Sequence, residues 1–324
     1  MSDPFCECTP IKNIDLKTID CSDSYYQLSV SNGFSDLCLS IEQIGLIHPP
    51  AIQKQPNQDT YRIINGFQRI QACQQLEMMR IPCYELPENV SSFTCAKRAV
   101  ADNCHRTLNV LEQSRGLSLI EKTLPEHMSL QEVAGQLGLP VSQKAMRLIR
   151  PLCDMFHCIQ AGISNDYIAL PVAHKLAALS ETDAQLITRM FEQLKPGLNI
   201  QREILTYCDE ISKRDQLSFD DVLNHKQIRK IMSDDVDRKQ KIHWVRMYLK
   251  SVRYPSFVEM ETRVMKQIER LQLKTDIKLI PPPYFENNRY ELHIGFNNKN
   301  ALHQSLNDIL SKMDTIDTIL GTTK

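Results

Sequence analysis

Tyr61-Arg62-Ile63-Ile64-Asn65-Gly66-Phe67-Gln68-Arg69-Ile70-Gln71-Ala72-Cys73-Gln74-Gln75-Leu76 is the stretch whose reading decides the fold. Residues 61–64 are a short β-branched and aromatic run that suits a strand. Asn65-Gly66 interrupts it, because glycine tolerates the positive φ of a tight turn. From Phe67 onward Ile70, Cys73 and Leu76 recur at helical spacing. A strand, a glycine turn and a helix start together make an anion site, where unpaired N–H groups and the helix dipole point outward. Arg69 falls in the first helical turn, from which its guanidinium can fork onto a phosphate. Plain structural corners share this pattern, so the corner alone leaves both readings open.

Composition bounds what the rest of the chain can be. Its 324 residues suffice for two or three domains, each with its own core. With 38 Lys+Arg against 39 Asp+Glu the molecule has no global basic field. That excludes indiscriminate coating of nucleic acid and leaves room for a local basic face. Eleven cysteines without framework spacing, and no secretory signal at the start, fit a reducing cytosol. No apolar run approaches the roughly 20 residues of a membrane span. Ten glycines, 16 prolines and long periodic segments predict a mostly helical protein.

Two flanking stretches give the corner a context. Ser40-Ile41-Glu42-Gln43-Ile44-Gly45-Leu46-Ile47-His48-Pro49-Pro50 precedes it, and Asp102-Asn103-Cys104-His105-Arg106-Thr107-Leu108-Asn109 follows. In order and spacing the three stretches resemble the N-terminal domain of the ParB family of DNA-partition proteins, which is related to sulfiredoxin. That family has S-I-x-x-x-G-L-x-Q-P, then G-E-R-R-x-R-A after a strand, then E-N-x-Q-R-x-x-L-N. The resemblance implies binding of CTP with Mg2+ and slow hydrolysis, with Gly66, Phe67, Gln68, Arg69, Asn103 and Arg106 around the nucleotide. Asp102 and Asn103 become the oxygen ligands of a hard cation that keeps waters and phosphate. The departures matter. Phe67 and Gln68 stand where the family has Glu and Arg, the later Arg is Gln71, Asp102 replaces Glu, and His105 replaces Gln. Each lost guanidinium removes charge-assisted bonds worth roughly 1.5–3 kcal/mol, about tenfold or more in affinity. The enzymatic expectation is therefore at most a weak nucleoside triphosphatase. For Asp102 and Arg106 the competing reading is an (i, i+4) surface pair on a helix. Sulfiredoxin chemistry would need a nucleophilic cysteine beside the phosphate turn, and none stands there; Cys104, on the later helix, reads as a buried inert thiol.

Around these motifs the first domain reads as a small α/β unit. A helix over residues 34–45 carries Leu37, Ile41 and Ile44 on one face and stops at Gly45. Residues 51–53 and 60–64 are paired strands turned by residues 56–59, and residues 81–85 form a further strand. Residues 1–33 are poorly patterned and read as a loose tail. Its Cys6-Glu7-Cys8 lacks the remaining ligands of a structural zinc.

From Leu111 the pattern is helical throughout. Leu117, Ile120 and Leu124 line one face. Ser129-Leu130-Gln131-Glu132 is a capping-box signature, followed by apolar Val133, Ala134 and Leu137, a stop at Gly138, and a second helix over residues 142–150. A capped helix, a glycine turn and a polar helix form the helix-turn-helix pattern, or else an ordinary helical hairpin. On the second helix Gln143, Lys144, Arg147 and Arg150 are the DNA-binding candidates, with Ala145 and Leu148 turned inward. Lys144 occupies a position where the pattern prefers an apolar residue. Helices over 152–159, 169–179, 186–194 and 200–211 complete this region, in which Cys153, His157 and Cys158 read as core packing.

Lys213-Arg214-Asp215 opens a charged linker, and residues 218–232 read as one amphipathic helix. A long helix over 235–253 has Ile242, Val245 and Leu249 inside and Arg238, Lys239, Lys241, Arg246 and Lys250 outside, as a solvated face or a phosphate contact. Phe257, Met260, Val264, Ile268 and Leu271 make a helical stripe. Strands follow over 277–280 and 290–296, with Pro281-Pro282-Pro283 between, and Leu302, Leu306 and Leu310 mark the inner side of a closing helix. A two-stranded unit is marginal alone. It resembles the ParB dimerisation domain, where strands of two chains join, or it packs on its own chain.

The expectation is an α+β, mostly helical protein: a tail (1–33), a ParB/sulfiredoxin-like nucleotide-binding domain (34–110), an all-α helix-turn-helix domain (111–213), and a linker with a C-terminal helix-strand-strand-helix dimerisation unit (214–324). The resemblance implies a cytoplasmic, nucleoid-associated homodimer. It binds a palindromic site on double-stranded DNA, with CTP gating a clamp and a ParA-type ATPase as partner, and partitions a chromosome, plasmid or mobile element. A ParB-like transcriptional regulator or a nucleotide-dependent phosphotransferase are the alternatives.

Overall fold

The computed structural model describes residues 10–29, 33, 35–56, 58–282 and 289–321. Phe34, Cys6-Glu7-Cys8 and Pro283 lie outside them. The chain divides into two compact units between Thr188 and Arg189.

The first unit opens with β1 (Ile11–Asp15), a single 3-10 turn and β2 (Ile19–Asp20), so from Ile11 the expected loose tail is instead part of a sheet. Next come α1 (Ser35–Ile44), β3 (Ala51–Lys54), β4 (Tyr61–Asn65), α2 (Phe67–Gln75), β5 (Arg80–Leu86) and α3 (Ser92–Ala101). The five strands lie in the order β1-β5-β3-β4-β2. β1 is antiparallel to β5, β3 parallel to β5 and antiparallel to β4, and β2 parallel to β4. Both edge strands thus come from one short segment. The four residues from Asp15 to Ile19 reach at most about 14 Å, whereas four strand spacings span about 19 Å when flat. The sheet must therefore be rolled.

Each face of the sheet buries one set of side chains, as the two-residue alternation of a strand requires. Ile52, Ile63, Ile81 and Cys83 point toward α1 and α2, joining Ile41, Ile70 and Cys73. Ala51 and Ile64 point the other way, onto Phe93, Ala96 and Val100 of α3. That second cluster continues without a break into α4 (Val110–Thr123) and α5 (Leu130–Gln136), through Leu117, Ile120, Val133 and Ala134. The first unit is completed by α6 (Gln143–Ile149), a second 3-10 turn (Arg150–Asp154), α7 (His157–Ser164) and α8 (Leu170–Leu176).

The boundary between units falls within α9 (Glu181–Leu194). The second unit contains α10 (Leu198–Asp215), α11 (Phe219–Leu223), α12 (Lys226–Ser233), α13 (Arg238–Arg253) and α14 (Pro255–Arg270). β6 (Ile277–Ile280) and β7 (Glu291–Ile294) form an antiparallel pair, followed by α15 (Lys299–Ser311) and α16 (Met313–Gly321). Lys213, Arg214 and Asp215 end α10 rather than forming a linker, Arg214 capping carbonyls of Val252 and Arg253. The single helix expected over 218–232 breaks at Asn224, because the His225 side chain caps a new start at Gln227 N. On α13 the expected basic face is largely paired within the unit: Arg246 with Glu203 at 2.8 Å, Lys250 with Glu261 at 2.9 Å, and Lys241 with the Met232 carbonyl. Only Arg238 and Lys239 stay fully exposed there.

α15 is rotated from its expected phase. Ile309 is buried in a cluster with Val264, Leu271, Ile277, Ile316 and Ile319, and Ser305 one turn before it is also buried, whereas Leu306 and Leu310 are 42% and 66% exposed. The helix uses the narrower i, i+4 seam and leaves its leucine stripe outside. Among the described residues no helix is long and apolar enough to cross a membrane.

One polar contact holds the sheet where its register slips. Ala51 pairs with Asn65 and Ile52 with Ile63, so Ile64 is an extra residue in β4. The amide freed at Ala51 donates instead to Asn65 Oδ1 at 2.7 Å, in a buried position. Asn65→Ala leaves that amide unsatisfied and is expected to cost about 1–3 kcal/mol, read as faster amide exchange across β3 and β4.

Candidate functional site

Gly66 stands at the centre of the site. Its φ is +83°, and an added Cβ would sit 2.7 Å from Pro50 Cβ and 3.0 Å from its Cα. Both the backbone angle and the space therefore demand glycine. The residue is the N-cap of α2, so the amides of the first turn lack intrahelical acceptors and face outward. Beside this corner lies a cavity of about 720 Å³. It brings together every residue the sequence proposes for the nucleotide: Gly66, Phe67, Gln68 and Arg69 from the corner, and Asn103 and Arg106 from the turn after α3. Asp102 joins them. Phe67, which replaces an acidic residue of the family pattern, also packs on both core clusters.

Two cations of this cavity, Arg69 and Arg106, are held by carboxylates of the chain itself. Arg69 donates to Asp102 Oδ2 at 2.8 Å and to the His48 carbonyl at 2.7 Å. Arg106 grips both oxygens of Glu112 at 2.7 Å and reaches Ser29 Oγ at 2.7 Å. The (i, i+4) pair of Asp102 with Arg106 is thus absent, because α3 ends at Ala101 and Asp102 turns back to a residue 33 positions earlier. Cys104 likewise lies in the turn and not on a helix. It is an exposed residue whose thiol contacts the Leu137 carbonyl at 3.1 Å, and burial raises its pKa, disfavouring a thiolate.

Asp102 and Asn103 offer one carboxylate and one amide oxygen on the same side of the cavity. Among the described residues no three His, Cys, Asp or Glu side chains gather as a metal cage. The donor set therefore suits a hard cation that arrives with phosphate and water and not one held by protein alone. Cys153 and Cys158 are half-buried and His157 is exposed, so none of the three is the core residue that the sequence suggests.

Sequence reasoning missed one wall. Tyr26, Gln27, Leu28 and Ser29 line the cavity, although no motif marks them. They are pinned from α4: Arg115 donates to the Leu28 carbonyl at 2.8 Å, and Ser29 donates to Glu112 Oε1 at 2.6 Å. His48, Asn65 and Arg98 also face the cavity, the last lying over the Tyr84 ring.

The two-helix unit follows from its turn. Gly138 has φ +66°, and Leu139 N donates to the Ala134 carbonyl at 2.9 Å, the back-bond of a Schellman-type stop. Leu139 then tucks onto Gly116 of α4. Ser129 is the N-cap of α5 but makes no side-chain cap bond; the full capping box is formed by Asn109 and Glu112 at α4. On α6 Gln143, Lys144 and Arg147 are exposed. Arg150 instead pairs with Glu121 at 2.5 Å and with Asp154. The inward residues are Met146 and Ile149, not Leu148, which is exposed; this phase leaves Lys144 in solvent.

Glu112 gives the site an acid signature. Burial pushes its pKa up, but the Arg106 bonds, Ser29, the Asn109 amide and the Arg106 charge outweigh this and bring it from 4.5 to about 2. A carboxylate held low stabilises the fold fully above its unfolded pKa and loses that contribution as pH falls through the folded one. The stake is on the order of 3 kcal/mol, lost between pH 4.5 and about 2. Glu112→Gln is expected to flatten the unfolding free energy over that interval, measured by denaturation at stepped pH.

Residues 6–90 match the family model of the ParB N-terminal domain. A nucleoid occlusion protein of Oceanobacillus iheyensis is 26% identical over 209 residues, covering 59% of this chain and 70% of that protein. A structure of the C-terminally truncated chromosome-partitioning protein ParB from Caulobacter crescentus, complexed with CTP-gamma-S, is 18% identical. The match covers 56% of this chain and 99% of that one, with a TM-score of 0.27. The same protein complexed to the centromeric parS site is 14% identical, covering 55% and 91%, with a TM-score of 0.32. With the glycine corner and the rolled sheet in place, it is residues 6–90 that match the ParB N-terminal domain.

Proposed function

We propose that this chain is a ParB-like, site-specific DNA-binding protein of chromosome, plasmid or mobile-element partition, or of nucleoid occlusion, and that CTP with Mg2+ occupies the cavity at Gly66. The observation that carries the proposal is the arrangement around α4. A cationic, glycine-cornered cavity is fastened to its first turn, and a helix with exposed Gln143, Lys144 and Arg147 packs against the same helix. In this reading α5 and α6 are a helix-turn-helix, and α6 presents these side chains to base edges and phosphates in the major groove. Arg150, held by two carboxylates, braces α6 and makes at most a backbone contact.

When bound, the cation neutralises phosphate charge. Asp102 and Asn103 would hold it, Arg69 and the first-turn amides would orient the phosphates, and Tyr26–Ser29 would close the open side. Ligand occupancy biases the state of α4 and so of α5 and α6, in proportion to its differential affinity.

The second unit would supply the dimer. Leu306, Leu310 and Met313 on and after α15, Leu292 in β7 and Phe296 just beyond it are all exposed, apolar side chains available to a second copy. Leu306→Glu combined with Leu310→Glu is expected to shift a dimer to monomer in analytical ultracentrifugation without unfolding it.

DNA selection followed by gel shift, with and without CTP, tests the function as a whole. Arg147→Ala should weaken the selected site about tenfold, as the loss of one base or phosphate contact does. The dimer should stay intact. Unchanged affinity would remove α6 from the groove, and a selection without any sequence preference would overturn the proposal.

A further inference from the structure

Three guanidiniums line the cavity, those of Arg69, Arg98 and Arg106. Two are engaged by carboxylates of the chain. Arg106 holds both oxygens of Glu112, whose side chain is only 5% exposed, so drawing it away would strand a buried charge. Arg69 is tied to Asp102 and to the His48 carbonyl. α2 adds no further cation, because positions 68 and 71 are both glutamine. An anion of several charges therefore meets little uncommitted positive charge at the glycine corner itself.

Arg98 is different. It is half-buried, and among the described residues it has no carboxylate partner. Its guanidinium carbon lies 5.5 Å from the centroid of the Tyr84 ring. A guanidinium resting on a ring keeps its N–H fork open to a planar or tetrahedral oxyanion. The ring also steadies the side chain before a ligand arrives, so less rotamer freedom is lost on binding. α3 delivers this group to the cavity in a defined place. Arg98 lies four residues before Asp102, which keeps helical angles (φ −58°, ψ −24°) as the C-cap of α3. The two side chains thus stand one turn apart on one face, and both line the cavity. The Asp102 carboxylate is already taken by Arg69, which leaves Arg98 without it.

Deepening the nucleotide reading above, we infer that Arg98 is a phosphate-binding residue of the cavity, the cation that closes onto the nucleotide's phosphates without first leaving a carboxylate. It answers the shortfall of charge on α2 from a different helix. No ion pair has to break for Arg98 to fork onto phosphate oxygens, while the first-turn amides of α2 donate to them from the corner.

The test is calorimetric titration of the full chain with CTP in Mg2+ at stepped salt, for wild type, Arg98→Met and Arg98→Lys. Methionine keeps an apolar stem on Tyr84 and suits a helix, so the fold is preserved. Arg98→Met is expected to weaken CTP about tenfold or more. It should also flatten the fall of affinity with added salt, since one screened contact is gone. Arg98→Lys, which keeps the charge and loses the fork, should retain the salt dependence and recover part of the affinity. Unchanged affinity in Arg98→Met would overturn the inference while leaving nucleotide binding intact. Weakening with the salt dependence of the wild type would overturn it too, reducing Arg98 to a packing role on Tyr84. Absence of CTP binding to the wild type would instead remove the nucleotide reading, and this inference with it.

Discussion

A buried carboxylate in the first turn of α4 organises the cavity of the first unit. Glu112 accepts from Arg106, Ser29 and the Asn109 amide, so the turn before α4 and the distant segment at Ser29 converge on one side chain. It closes the capping box that starts α4, fixes the turn after α3, and holds the wall formed by Tyr26–Ser29. Arg115, one turn further along, secures the same wall and reaches Gln160 of α7. Apolar contacts give α4 its seat, since Leu117 and Ile120 are fully buried. The shape of the cavity, in contrast, is set by charge-assisted bonds, which are directional and strong in a partly dry setting.

That division explains why the cavity and the two-helix unit are one mechanical body. The sheet face that carries Ala51 and Ile64 shares its core with Val133, Ala134 and Leu139. Cys104 touches the last carbonyl of α5, and Ser114 of α4 donates to the Arg150 carbonyl while accepting from the Cys153 amide. The Asp102–Arg106 turn is therefore joined to the helix pair by direct contacts at Cys104 and by a shared core.

Much of this was legible in the sequence. The helix before Gly45, the paired strands around residues 51–65 and the glycine corner were readable because strong turn residues punctuate clear periods. The two-helix unit was readable from the spacing of Ala134 and Gly138. Other features depend on contacts that sequence does not encode locally. Ile11–Asp15 mixes apolar and polar residues without strict alternation, and becomes a strand only through pairing with β5, about seventy residues away. The partner of Asp102 was hidden for the same reason, since a helix ending one residue earlier abolishes the local pair. The phases of α6 and α15 went astray because two apolar stripes compete on each helix, and tertiary packing, not periodicity, chooses between them. His225 as a helix cap could not be foreseen from propensity, which favours Ser, Thr, Asp and Asn there.

The rolled sheet has a bearing on how this protein stays dispersed. Its two outermost strands are a five-residue and a two-residue piece of one segment, and the longer one carries Lys12, ion-paired to Glu85. Brief, charged margins give a neighbouring molecule little backbone to template upon. Were that segment lost, the apolar ladder of β5 would become a rim open to strand addition. Residues 11–20 thus act as a built-in guard against amyloid-like stacking.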